Sequence, residues 1–293
     1  MLIESFLDYL RLERNYSERT IVSYQTDLRE FEGYLKKTES ELDWKKVHAD
    51  HVRNWMVRLM EDGKASTSVN RKLSSLRSFY RFLLRKKEVT VNPMLKVVGP
   101  KKKKPLPFFV REKDMNRLLD EIPFGEGFEG CRDRTILEVF YATGMRLSEL
   151  IGLNDVDVDF STKLIKVTGK RNKQRLIPFG KELEENLNLY IKVRNEAFPD
   201  GAECFFVLKN GKRMYPMEVY RLVKRNLSKV VSLKKRSPHV LRHTFATAML
   251  NDHAELQSVK ELLGHESLVT TEVYTHTTFE ELKKVYEQAH PRA

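Results

Sequence analysis

The stretch at 92–107, NPMLKVVGPKKKKPLP, constrains the fold of this chain most. Its four prolines and one glycine disfavour regular secondary structure, and its four consecutive lysines cannot pack into an apolar core. The sequence therefore predicts two domains, 1–98 and 109–293, joined by a basic linker over 99–108. With 293 residues, the chain is long enough for each domain to bury its own core.

The first domain shows four amphipathic helical patterns, because apolar residues recur three and four positions apart. Ser17 is expected to cap the second helix, and Gly63 to end the third. The four apolar stripes are Ile3, Phe6, Leu7 and Leu10; Ile21, Tyr24, Leu28, Phe31 and Leu35; Val52, Trp55, Met56 and Leu59; and Val69, Leu73, Leu76, Phe79, Tyr80 and Leu83.

The second domain is predicted to be mostly helical with a small sheet, so the fold class is mainly α with some β (α+β). KLIKVTG and QRLIPFG alternate apolar and polar residues around KRNK, which predicts a β-hairpin. CFFVLKNGKR, at 204–213, is predicted to be a third strand that runs into an Asn-Gly turn. A helix is expected at 111–122, and two more over 131–153 with a break at Gly144. The region from Tyr215 onwards is helical in pattern.

The positive charge of the chain is concentrated in one segment. Residues 64–104 contain thirteen lysines and arginines and one acid, Glu88, so this segment accounts for the whole formal net charge of +12. Such a concentration indicates a polyanionic partner, nucleic acid first, although a solvated helix face followed by a basic linker has the same composition. The expected DNA-contacting residues are Arg71, Lys72, Arg77, Arg81 and Arg85 on the fourth helix, and Lys101, Lys102, Lys103 and Lys104 in the linker.

Composition excludes several classes of protein. Hydrophobic residues make up 41% and charged residues 32%, as in a folded domain and unlike a disordered chain. The sequence has no apolar run of membrane-spanning length and no secretory signal pattern. Its two cysteines, Cys131 and Cys204, lie far apart and fit no zinc spacing, so a cytoplasmic protein with reduced thiols is expected.

A few polar residues stand in unusual places and leave several chemistries open. His239 and His243 are four residues apart, like the metal-binding pair of HExxH, but Val240 replaces the glutamate and Arg242 would repel a cation. A serine or cysteine nucleophile is disfavoured, because GxSxG is absent and neither cysteine is near a histidine in sequence. Each polar residue could also serve as a helix cap or a surface ion pair.

A third chemistry is attack of Tyr274 on a phosphodiester. A phenol with a pKa of about 10 needs activation. Two arginines can bind the non-bridging oxygens of the transition state, a histidine can accept the phenolic proton or orient the phosphate, and a lysine can protonate the leaving oxygen. The sequence offers this set without a metal or cofactor: Arg146, Lys170, His239, Arg242, His265 and Tyr274.

Five stretches resemble the tyrosine recombinase (phage integrase) family, and its bacterial Xer type in particular. They are ATGMRLSELIGL, VTGKRNKQRLIPFG, SPHVLRHTFAT, LLGHESLVTTEVYTH and AHPRA, which follow one another in order along the chain.

The resemblance implies a role for each matched residue. Arg146 and Arg242 become the catalytic arginines, Lys170 the catalytic lysine with Lys173 as its rival, and His239 and His265 the active-site histidines. Tyr274 becomes the nucleophile that forms a 3′-phosphotyrosyl bond. His243 is expected to be structural, His276 to be a helix residue near the site, and Glu149 to orient an arginine.

The resemblance also implies an architecture and partners. The expected architecture is a C-shaped clamp on duplex DNA, with an N-terminal four-helix, SAM-like core-binding domain and a catalytic domain. Four protomers, alike or of two related kinds, would exchange strands between two DNA sites through a Holliday junction. A DNA translocase of the FtsK type is an expected activator. The last helix, with Phe279, Leu282, Val285 and Tyr286 as its apolar stripe, could dock on a neighbouring protomer or on its own domain.

The implied function is Xer-type recombination that resolves chromosome dimers at cell division. An integrase or invertase of a mobile element uses the same chemistry and stays open. A type IB-like topoisomerase and a DNA-binding protein without activity are more remote alternatives.

Overall fold

The protein, described here by a computed structural model, consists of two compact units. The structure describes residues 2–38, 43–101, 108–169, 172–264 and 276–293, with the side chains of 276–280 excepted. The units are Met1–Pro105 and Leu106–Ala293. The division between them falls inside the segment 99–108 that the sequence predicts to be the linker.

The N-terminal unit contains the four predicted helices. Their apolar stripes meet in one core, in which Trp44 lies edge-on to Phe79 with ring centroids 4.9 Å apart. The first helix continues into a wider π-helical turn, Tyr9–Glu13. Gly63 follows the third helix with a φ of 75°, a conformation that glycine adopts without strain. The helices are α1 Leu2–Asp8, α2 Glu18–Thr38, α3 Ala49–Glu61 and α4 Ser66–Arg85.

The first part of the proline-rich stretch is more ordered than its composition predicts. Pro93–Lys96 forms a turn of 3₁₀ helix, which Asn92 caps by accepting a hydrogen bond from the Met94 amide. Arg77 donates to the Val97 carbonyl at 3.0 Å, and Asn70 donates to the Pro100 carbonyl at 2.9 Å. Proline is compatible with the first turn of a helix, so this stretch packs onto the N-terminal unit before the linker continues.

The C-terminal unit is mainly helical and is built around α6, Gly127–Thr143. This helix is buried on almost all sides, which explains why it shows little amphipathic pattern. It packs against two later helices, α8 (Lys181–Ala197) and α10 (Pro238–Asn251). The α-helices of this unit are α5 Glu112–Asn116, which continues as a π-helical segment over Arg117–Glu121, α6 Gly127–Thr143, α7 Leu147–Gly152, α8 Lys181–Ala197, α9 Pro216–Leu227, α10 Pro238–Asn251, α11 Leu256–Leu263 and α12 His276–Ala289.

The sheet confirms the predicted hairpin but not the predicted third strand. Strands β2 (Leu164–Thr168) and β3 (Gln174–Pro178) pair antiparallel, with Ile165 opposite Ile177. The third strand is β1, Val158–Asp159, which pairs with β2 and is too short to show a sequence pattern.

The segment that was expected to be a third strand, 204–213, forms one isolated bridge between Val207 and Arg213. Phe205 and Phe206 are both fully buried, whereas a strand with one exposed face would alternate. The Phe205 amide donates to the Leu153 carbonyl at 3.1 Å, outside the sheet. The apolar run CFFV therefore fills the core as irregular chain, and the prediction of a strand there was wrong.

The C-terminal helix packs on its own domain in this structure. Leu282, Tyr286 and Ala289 are buried against Phe245 and Met249. The residues after the helix are held in the same way. The His290 ring lies 3.1 Å from the Tyr141 carbonyl oxygen, and Arg292 forms ion pairs with Asp120 and Glu182.

None of the helices in the described ranges is both long enough and apolar enough to cross a membrane.

Candidate active site

Arg146 is positioned by a glycine turn and by a glutamate three residues later. Gly144 ends α6 with a φ of 58°, and a Cβ there would lie 2.5 Å from Phe245 Cδ1. Arg146 then caps the N-terminus of α7. Its backbone amide donates to Glu149 Oε2 at 2.7 Å, and its Nη1 donates to Glu149 Oε1 at 2.7 Å. The expected contact between Glu149 and an arginine is therefore confirmed.

Arg242 lies on α10, which begins at Pro238, a residue suited to the first helical turn. Its Nη1 donates to the Gly144 carbonyl at 2.7 Å and its Nη2 to the Leu263 carbonyl at 2.6 Å. Arg242 is thus held between the turn that precedes Arg146 and the end of α11.

A third arginine, Arg175 on β3, joins the two that the sequence singled out. Its Nη1 and Nη2 donate to the two carboxylate oxygens of Glu149 at 2.8 and 2.9 Å, and its Nε donates to the Leu262 carbonyl at 2.8 Å. Sequence reasoning missed this residue. One signal in the sequence was its position two residues before the apolar Ile177, which places both side chains on the same, inward face of the strand. A charged side chain on that face requires a buried partner.

The three arginines meet at the C-terminal end of α11. They donate to three consecutive carbonyls: Arg175 to Leu262, Arg242 to Leu263, and Arg146 to Gly264 at 2.9 Å. The last carbonyls of a helix have no partner within the helix and carry partial negative charge, which guanidinium groups satisfy. The end of this helix therefore holds all three arginines together.

The electrostatics of this cluster favour an anion. Among the described side chains, Glu149 is the carboxylate that lies between the guanidinium groups, so the cluster has a net charge of about +2. Burial alone would raise the pKa of Glu149, but hydrogen bonds from Arg175 and Arg146 prevail and lower it to about 2. Burial, together with the charges of Arg146 and Arg175, lowers the pKa of Arg242 to about 10. A bound anion would reduce the electrostatic repulsion among the three guanidinium groups.

Arg146 and Arg242 keep donors with which to bind such an anion. A guanidinium has five N–H groups. The described hydrogen bonds use two of them on Arg146 and two on Arg242. The Arg146 side chain is also 38% exposed, so a ligand can reach it.

His239 lies at the start of α10, one turn before Arg242. Its ring and that of His243 meet edge to face, with centroids 4.5 Å apart. Partial burial and then the neighbouring charges of His243 and Arg242 lower the pKa of His239, so the neutral ring predominates at neutral pH. Across the described ranges, no group of three or more His, Cys, Asp or Glu side chains is arranged to hold a metal ion.

The other expected active-site residues, Lys170, His265 and Tyr274, lie outside the described residues. The described residues that immediately precede Lys170 and His265 nevertheless both lie close to Arg146. A Cβ on Gly169, the residue before Lys170, would lie 3.2 Å from Glu149 Oε1 and 3.7 Å from Arg146 Nη1. Gly264, the residue before His265, accepts a hydrogen bond from Arg146.

The basic residues of α4 differ in how exposed they are. Lys72 is buried and donates to Asp27 at 3.2 Å and to Glu30 at 2.6 Å. Its positive charge is therefore neutralised within the domain, contrary to the expectation that Lys72 contacts DNA. Arg71 also pairs with Asp27, and Arg77 donates to the Val97 carbonyl, which precedes the predicted linker. Arg81, Arg85 and Lys101 are exposed. Lys102, Lys103 and Lys104 lie outside the described residues.

Comparison with known proteins identifies the family. Residues 109–281 match the phage integrase family, and residues 3–87 match its N-terminal SAM-like domain. The chain is 41% identical over 317 residues to tyrosine recombinase XerC of Chlorobaculum parvum, with 99% of this chain and 94% of that protein covered.

Solved structures share the fold. XerH recombinase bound to a palindromic difH substrate matches with a TM-score of 0.74 at 21% identity, over 96% of this chain and 83% of that one. A lambda integrase tetramer bound to a Holliday junction matches with a TM-score of 0.69 at 16% identity, over 92% of this chain and 74% of that one.

The chain therefore belongs to the phage integrase family, as a tyrosine recombinase of the Xer type. Members of this class break and rejoin DNA at specific sites.

Proposed function

We propose that this protein resolves chromosome dimers at cell division, by Xer-type recombination through a 3′-phosphotyrosyl intermediate and a Holliday junction. The observation that supports this most is the cluster of three arginines on the end of α11, one residue before the segment that carries His265 and Tyr274. It is a preformed site for a phosphodiester. The 41% identity to a XerC protein over 99% of this chain favours the chromosomal role over that of a mobile element.

In the proposed reaction, the phenolic oxygen of Tyr274 attacks the scissile phosphorus. The bond from phosphorus to the 5′ oxygen breaks, and Lys170 gives that oxygen its proton. A histidine, His239 or His265, accepts the phenolic proton. Arg146 and Arg242 stabilise the negative charge that builds up on the non-bridging oxygens, because their guanidinium groups are already in place before the phosphate arrives.

The second step reverses the first with a different nucleophile. The 5′ hydroxyl of another strand attacks the phosphotyrosine, and Tyr274 regains its proton as it leaves. The number of phosphodiester bonds does not change, so the exchange needs no external energy source. The proposed assembly is a tetramer on two DNA sites, as in the lambda integrase tetramer on a Holliday junction, whose fold this chain shares. Activation by an FtsK-type translocase is part of the same proposal.

On the N-terminal unit, the proposed DNA-contacting surface is the outer face of α4, where Arg81 and Arg85 are exposed one turn apart. Replacing Arg81 with Gln should weaken binding to every duplex alike and lower the slope of log affinity against log salt by about one. Titrations at several salt concentrations measure this. Arg29→Gln is the matched control, since this exposed arginine of α2 is already paired with Glu4 and Glu32. An unchanged slope for Arg81→Gln would place the contact elsewhere.

The function is tested by trapping the covalent intermediate. The DNA site is first selected by the protein from a pool of randomised duplexes. A nick close to the cleavage point then allows a short fragment to diffuse away, so that religation fails and the 3′-phosphotyrosyl adduct accumulates. We expect the adduct to survive denaturing electrophoresis, without added metal or nucleotide. A protein that binds this site and forms no adduct would not support the proposal.

A further inference from the structure

We propose that Arg175 is a positioning residue of the active site, which fixes Arg146 through Glu149 and ties the β2–β3 hairpin to the end of α11. The inference rests on the role proposed for Arg146. It assigns a function to a residue of the stretch VTGKRNKQRLIPFG for which the resemblance implies no role.

The hydrogen bonds and burial of Arg175 separate it from Arg146, the arginine that a phosphate can reach. Three of its nitrogens, Nε, Nη1 and Nη2, donate to protein acceptors. Its side chain is 11% exposed, against 38% for that of Arg146. The guanidinium of Arg175 is therefore buried and bonded to protein acceptors, whereas that of Arg146 is partly exposed and can be reached by a ligand.

Glu149 transmits the effect of Arg175 to Arg146. Its fully buried carboxylate accepts hydrogen bonds from Nη1 and Nη2 of Arg175, from Nη1 of Arg146 and from the Arg146 backbone amide. The paired fork of Arg175 fixes the plane of this carboxylate, because two parallel hydrogen bonds allow one orientation. That plane in turn sets the direction of the Arg146 guanidinium. Without Arg175, the carboxylate could rotate towards Arg146 and draw its donors away from the phosphate.

Arg175 also joins two segments that continue into proposed catalytic residues. It lies on β3, next to the hairpin turn that contains Lys170, and its Nε holds the Leu262 carbonyl, three residues before His265. A Cβ on Gly264 would lie 3.1 Å from Arg175 Cδ, so the chain passes directly over this side chain. One guanidinium therefore sets the separation between the hairpin and the end of α11.

The test compares Arg175→Ala, Arg175→Lys and Arg146→Ala in single-turnover cleavage of the nicked duplex. Losing a residue that orients a reacting group costs on the order of 10- to 100-fold. We expect about 100-fold slower cleavage for Arg175→Ala and about 10-fold for Arg175→Lys, which keeps the charge but not the fork. DNA affinity should stay within about threefold, because Arg175 does not face the ligand. Arg213→Ala is the matched control, since Arg213 also bonds a backbone carbonyl, that of Ile151, but lies outside the site.

A methylphosphonate at the scissile position distinguishes positioning from general damage. It replaces one charged non-bridging oxygen with a methyl group, so the transition state needs less help from Arg146. The deficits of Arg146→Ala and Arg175→Ala should both shrink at least about tenfold on this substrate, whereas a folding defect would persist unchanged. If Arg175→Ala does not fold, judged by circular dichroism, Arg175→Lys is used in the same comparison.

Two outcomes would count against the inference, and they can be told apart. If the deficit of Arg146→Ala shrinks and that of the Arg175 variant does not, Arg175 is a structural residue and the proposed reaction stands. If neither deficit shrinks, the proposed role of Arg146 fails, and the inference about Arg175 fails with it.

Discussion

Tyr274→Phe is expected to abolish covalent attachment to DNA while the protein still binds its site with an affinity within about threefold of wild type. The substitution removes one oxygen atom, the proposed nucleophile, and leaves the aromatic ring. Loss of a nucleophile typically costs on the order of 10⁴- to 10⁶-fold in rate, which is below detection in a trapping assay. The measurement is denaturing electrophoresis of the labelled nicked duplex, alongside a binding titration with the same duplex.

The matched control is Tyr215→Phe, in which an exposed tyrosine of the same unit loses its hydroxyl. This variant should trap DNA at the wild-type rate, since the Tyr215 hydroxyl donates to Glu218 on the surface. An adduct formed by Tyr274→Phe, with the attached peptide mapped by mass spectrometry to another residue, would show that the nucleophile has been misassigned.

The helices could be predicted because their patterns are local. In the N-terminal unit, spacings of three and four residues identify the buried faces of all four helices, and in the C-terminal unit Gly144 marks where α6 ends. The sheet shows the limit of this approach. The β2–β3 hairpin has two alternating strands, whereas β1 has two residues and the CFFV run is buried on both sides. A short apolar run has the same pattern in a strand and in irregular core.

The active site could be predicted only in part, because its arginines bind backbone carbonyls as well as side chains. The resemblance to a known family drew attention to Arg146 and Arg242, but their partners in the structure include the carbonyls of Gly144, Leu263 and Gly264. Backbone acceptors leave no trace in residue identity. No sequence pattern could therefore show that three arginines share the end of one helix.

The charged residues of α4 show the same limit. Lys72 belongs to the basic pattern of the helix, yet it is buried beside Asp27, which lies 45 positions away in sequence. Only the packing of α2 on α4 shows which positive charges are neutralised inside the domain. Arg81 and Arg85 remain on the surface, so the part of the basic pattern that can face DNA is smaller than the count of charges suggests.

Arg242→Ala is expected to slow cleavage by about 10³-fold, the second-largest effect of a single substitution. Removing one preorganised donor to a developing oxyanion costs on the order of 10²- to 10³-fold, and this substitution removes every donor of the guanidinium. It also leaves the carbonyls of Gly144 and Leu263 without their donor, so we expect a loss of stability of about 2 kcal/mol. Single-turnover cleavage of the nicked duplex and thermal unfolding measure the two effects separately.

Arg242→Lys separates charge from geometry. An ammonium keeps the positive charge, but it lacks the planar fork of a guanidinium. It therefore cannot bond the Gly144 and Leu263 carbonyls and a phosphate at the same time. We expect Arg242→Lys to regain most of the stability and to stay at least about 10²-fold slow. The control is Arg221→Ala, which removes a charge from the exposed surface of α9 and should leave both quantities unchanged.

The pH dependence gives an independent check on Arg242. Its pKa is lowered to about 10, so the group remains protonated below about pH 9, and the wild-type cleavage rate should not fall from loss of its charge across that range. Cleavage by Arg242→Lys at the wild-type rate would mean that a point charge is enough, and that the two carbonyls hold Arg242 for stability alone.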